Sequence, residues 1–226
     1  MRDPICADLP KTGIVGVGLC AGALLWPDVA LAHSPIAGIG TFYNAMLHPL
    51  VVPGHALALV GLSFALGQQG RPAARLGLVL LLGASGVGLG AAMALPVSPP
   101  PETGFLFLAA VMGAAVSIAR PLPRWLIAMA AIAVGLLMGL DSRPDPAGKR
   151  DTVLAVAGLF SGTALVAILI AGTCLTLEKT WMRIGIRIFG SWIAAASVLV
   201  LALLLHYGRP FPTQSFAVPV RAEIAA

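Results

Sequence analysis

Apolar positions along this chain come in long unbroken runs, and each run ends at a short stretch holding proline, glycine or charge. The runs lie near Gly38 to Gly67, Arg75 to Leu95, Gly104 to Arg120, Arg124 to Leu140, Thr152 to Leu177 and Ile184 to His206. Each approximates the roughly 20 residues that an α-helix needs to cross a bilayer at 1.5 Å rise per residue. The pattern predicts an all-α, polytopic membrane helical bundle of six spans, with no room between them for a separate soluble domain.

A shorter apolar stretch precedes these spans. Arg2 and Lys11 lead into Ile14 to Trp26, and Ala30-Leu31-Ala32 offers small residues at the positions a signal peptidase reads. Residues 1–32 are therefore expected to be a signal peptide, the competing reading being an uncleaved extra helix. Cleavage would leave His33 as the mature amino terminus, residues 33–206 as the membrane domain and 207–226 as a tail.

Composition narrows the picture. The chain is 58% hydrophobic and 10% charged, with a mean hydropathy of +0.95, more apolar surface than a soluble domain buries. The formal charge of +5 is spread singly between apolar runs and is not interleaved with aromatics, so it points to membrane orientation and not to nucleic acid. With the mature amino terminus outside, the inner loops collect Arg71, Arg75, Arg120, Arg124, Lys179, Arg183 and Arg187 against Glu178 alone. Both mature termini are then periplasmic in a bacterial cytoplasmic (inner) membrane. Cys6, Cys20 and Cys174 are too scattered for a disulfide framework or a thiolate metal site.

The segment from Thr41 to Leu59 stands out because His48, Pro49, Pro53 and His55 interrupt an apolar run. Ionisable groups at membrane depth are expensive and call for a reason. A helix starting near Gly38 would put His48 roughly 15 Å deep and His55 about 10 Å further in. The two prolines cannot donate to the carbonyls of Ala45 and Pro49, so a kink or break is expected, with the freed carbonyls lining a polar cavity. A spacing of seven residues keeps both imidazoles on one helix face. Imidazole suits nickel, cobalt, zinc and copper, and Asn44 or backbone carbonyls would add oxygen ligands along a path past Pro49, Pro53 and Gly54. The alternative is structural, with the histidines hydrogen-bonding a broken backbone.

These features resemble the HupE/UreJ family of small membrane proteins, regarded as nickel permeases. The resemblance rests on a small-residue cleavage site followed by His33, the Gly-rich lead Ala37-Gly-Ile-Gly40, and His48-Pro49 with His55 seven residues on, and it covers most of the chain. It implies a bound divalent transition metal, nickel or cobalt, and a six-span layout. The family pattern also has an aspartate directly before the second histidine, where this chain has Gly54, and a later histidine and glutamate cluster, where Leu154 to Ile170 holds no ionisable residue.

Other polar residues add less. Asp141 is a candidate carboxylate for the histidine site or the outer mouth, although a solvated loop charge beside Arg143, Lys149 and Arg150 is the favoured reading. His33 would chelate through its imidazole and a free terminus after cleavage. His206, Tyr207, Trp125, Trp181 and Trp192 read as interfacial anchors. Gly86 to Gly90 and Gly158 to Gly162 have the small-residue spacing that lets helices approach closely. The sequence has no phosphate-binding loop, nucleophile elbow or Cys-x-x-Cys, and no enzyme activity is expected. The expected function is a transition-metal permease or facilitator whose partners are lipid and a divalent metal ion. The alternative is an accessory subunit of a larger membrane complex.

Overall fold

A computed structural model describes residues 39–94, 102–142 and 148–207. His33, the expected signal peptide and most of the tail lie outside the described residues. The described residues form helices and no strand: α1 (Gly40–Val51), α2 (Pro53–Gln68), α3 (Arg71–Ala94), α4 (Glu102–Ile118), α5 (Arg124–Asp141), α6 (Lys149–Thr176) and α7 (Thr180–Tyr207). Among them α3, α5, α6 and α7 are each long and apolar enough to cross a membrane, and α1 with α2 forms a fifth candidate bent by 73°. The remaining apolar helix, α4, has 17 residues, so the described residues give four to five candidate spans where the hydropathy pattern predicted six.

The bend has a local cause. Val52 sits at φ −84° and ψ 113°, the extended geometry that a following proline imposes on its neighbour. Pro49 is carried inside α1 without ending it, and the Val52 amide still donates to the His48 carbonyl at 3.2 Å. The break therefore falls at one residue between the prolines, and Pro53 opens α2 where a missing N–H costs nothing.

Glycine contacts set the helix directions. Gly54 lies beside Phe105 and Gly61 beside Met112, so α2 and α4 run parallel. Gly135 meets Leu81 and Gly139 meets Ser85, so α3 and α5 also run parallel, while α7 runs against α4 with Gly190 beside Val116. α2 is the central element, burying Ala58, Leu59, Leu62, Leu66 and its glycines. α7 lies at the periphery and leaves Trp192 and Leu205 exposed, the outward apolar surface expected where lipid is the solvent. Of the two small-residue pairs singled out above, Gly158 and Gly162 sit against the α1 backbone at Phe42 and Met46, whereas Gly90 meets nothing within 4 Å. Gly88, against Leu136 and Leu140, takes the close-approach role on α3.

At the end of the bundle where α2 finishes, Gln69 holds two loops together. Its Nε2 donates to the Arg120 carbonyl at 3.1 Å and its Oε1 accepts from the Leu122 amide at 3.0 Å. Nearby, Gln68 donates to the Val116 carbonyl at 3.2 Å and Arg187 Nε donates to that of Ser117 at 2.8 Å, satisfying carbonyls that the end of α4 leaves open. Gln69→Ala removes two of these bonds. At about 1 kcal/mol net for each, it should lower the thermal midpoint of the detergent-purified protein by a few degrees without loss of expression.

Candidate metal centre

Because the chain turns at Val52, the first turn of α2 folds back toward the last turn of α1. The imidazoles of His48 and His55 stand 5.1 Å apart, centroid to centroid, at 77° to one another. The depth difference expected of a continuous helix is thus replaced by direct juxtaposition. Phe105 of α4 lies against the other side of His55 at a centroid distance of 4.2 Å. Phe105 also borders Gly54, where an added Cβ would stand 3.4 Å from Phe105 Cβ, an ordinary contact.

The third member comes from a distant part of the sequence. Asp141 is the last residue of α5, not a loop charge, and its Oδ2 lies 2.9 Å from His55 Nε2. The favoured reading of Asp141 as a solvated loop residue is corrected here: its side chain is 13% exposed and that of His55 only 1%. The parallel packing of α3 with α5, through Gly135 and Gly139, fixes α5 in the register that brings its final turn to α2.

One ligand atom from each of His48, His55 and Asp141 falls in a group whose members all lie within 4.8 Å of one another. Around an ion with bonds of about 2.0–2.1 Å, ligand atoms stand roughly 3.3–4.2 Å apart. Side-chain adjustment on the order of 1 Å would close the set. The electrostatics favour a cation, since a carboxylate and two imidazoles are enclosed by apolar side chains. His55 Nε2 is in ion-pair contact with Asp141 but off the line of a hydrogen bond, and buried His55 Nδ1 has no hydrogen-bond partner among the described residues. A buried imidazole in that condition is the group a bound ion would satisfy.

The other residues expected along the path are placed less directly. Asn44, one turn before His48, donates its amide to the Gly40 carbonyl at 3.2 Å. Pro49 is buried within α1, whereas Pro53 is exposed at the start of α2. Phe105 was missed by sequence reasoning because an isolated phenylalanine in an apolar run carries no signal of what it faces.

The model of the family described as HupE / UreJ protein matches residues 21–201, the greater part of the sequence. The chain belongs to the HupE/UreJ family. No curated protein and no solved structure matches this HupE/UreJ chain. Its two departures from the family pattern acquire a spatial sense. The aspartate implied at position 54 is absent, and a carboxylate reaches His55 from Asp141 instead. The stretch Leu154 to Ile170, where an ionisable cluster is implied, includes Gly158 and Gly162, which seat α1.

Proposed function

We propose that this HupE/UreJ protein is a transition-metal facilitator, with nickel or cobalt as cargo and His48, His55 and Asp141 as its intramembrane ligands. The observation that carries this reading is the convergence of the three donor side chains within 4.8 Å. Two imidazoles and a carboxylate suit borderline divalent ions over hard ones such as magnesium, and one negative charge offsets part of the ion's charge. Asn44, Pro49, Pro53 and Gly54 belong to the approach to this centre, and His33 supplies an outer metal-capturing terminus after signal-peptide removal. The sequence has no nucleotide-binding motif, so movement follows the ion gradient.

In this reading the mature protein crosses a bacterial inner membrane six times, with both termini periplasmic. The sixth crossing is α4, whose 17 residues amount to about 25 Å of helix. Its start lies beside Gly54 and its end beside Gln68, at opposite ends of α2. Such a helix matches a locally thin hydrocarbon layer.

A second reading has its own supporting observation. His55 is fully buried and paired with Asp141, which also suits a fixed structural contact in an accessory subunit. Equilibrium metal binding by the purified protein separates the two. Wild type should bind nickel or cobalt, and His48→Ala with His55→Ala should weaken binding by roughly 100-fold or more. Absence of binding by folded wild type would remove the facilitator reading and leave the accessory one.

A further inference from the structure

At the opposite end of the bundle from the histidines, α3 and α5 start side by side, and a small groove of about 80 Å³ opens between their first turns, lined by Pro72, Ala73, Leu76, Ile127 and Arg124. Both helices are candidate spans, so their first turns lie at the depth of lipid headgroups. The rim is cationic. Arg71 and Arg75 are exposed on the first turn of α3, Arg124 opens α5, and Arg120 is exposed on the loop before it. Gln69 bonds the α4–α5 loop to the α2–α3 turn through the Arg120 carbonyl and the Leu122 amide, so the backbone segments that carry Arg71 and Arg120 are held side by side. Among the described residues the ion pair found is His55 with Asp141, and none joins these arginines to a carboxylate.

We infer that this groove is a binding site for one anionic phospholipid. The headgroup phosphate sits among Arg71, Arg120 and Arg124, and the upper part of an acyl chain lies along Pro72, Ala73 and Leu76. Three features together select this occupant. The walls are apolar, which a free anion does not use. The rim arginines are paired with no carboxylate among the described residues, a charge that a zwitterionic lipid does not need. The volume takes the top of a chain that then continues into the bilayer. Basic pockets between transmembrane helices recognise anionic headgroups on this principle.

Native mass spectrometry of the full chain, delipidated in detergent and titrated with phosphatidylglycerol, cardiolipin or phosphatidylcholine, tests the inference. Wild type should retain phosphatidylglycerol or cardiolipin adducts and little phosphatidylcholine. Arg71→Gln with Arg124→Gln should weaken the anionic adducts by about tenfold or more. The charge-matched variant Lys179→Gln with Arg183→Gln, altered at exposed positions on another loop and helix, should keep them. Equal loss in both variants would reduce the effect to diffuse charge and overturn the site. So would equal retention of phosphatidylcholine by wild type, or displacement of the lipid by millimolar inorganic phosphate.

Discussion

Asp141→Asn should weaken binding of nickel or cobalt by roughly 100-fold or more while leaving the protein folded. Asparagine keeps the size of the side chain, so the apo protein loses the carboxylate contact to His55 at 2.9 Å without gaining a cavity. It loses the negative charge that offsets the ion's own. Altering groups that merely orient ligands already costs 10- to 100-fold in metal affinity, so removing the ligand charge itself should cost roughly 100-fold or more. Isothermal calorimetry against each metal measures the loss, and circular dichroism with a thermal midpoint close to wild type certifies the fold. Restoring a carboxylate at position 54 gives the companion experiment. A Cβ there would be in ordinary contact with Phe105 at 3.4 Å, and Gly54→Asp in the Asp141→Asn background should recover part of the affinity. Unchanged binding in the single variant would exclude Asp141 from the ligand set.

Gly162→Val should be the most damaging single change outside the centre. A Cβ at Gly162 would collide with the carbonyl oxygen of Met46 and stand 3.0 Å from its Cα. Backbone cannot swing aside as a side chain does, so overpacking here should reach or exceed the upper part of its usual range, about 3 kcal/mol. α1 leans chiefly on α6, and forcing the two apart carries His48 away from His55 and Asp141. The expected readouts are a thermal midpoint lower by roughly 5–10 °C and metal binding as weak as that of His48→Ala. Gly172→Val on the same helix is the control. Gly172 has nothing within 4 Å of an added Cβ, so the substitution should alter neither property. A stable Gly162→Val protein with normal binding would refute the tight α1–α6 seat.

The contrast between these two residues shows what could be read from the chain beforehand. Long apolar runs set the helices, because length and hydropathy are local properties, and the His48, Pro49, Pro53 and His55 segment declared itself by putting polar and helix-breaking groups where lipid tolerates neither. A break near the prolines was legible, but not its position, since both His48 and Val52 precede a proline and only Val52 turns out extended. Asp141 was legible only as a candidate carboxylate, with a solvated loop charge the favoured reading. Its neighbours Ser142, Arg143 and Pro144 suggest an exposed loop, and only the register of α3 against α5, set by Gly135 and Gly139, brings the carboxylate to α2. The same limit applies to Gln69. A glutamine after a helix looks like surface polarity until the loop it bonds, more than fifty residues away in sequence, is in view.

The split origin of the triad also orders its birth. A ribosome makes His48 and His55 on α1 and α2, and α3 and α4 follow before α5 ends with Asp141. On the proposed reading, the full ligand set exists only once α5 has been made.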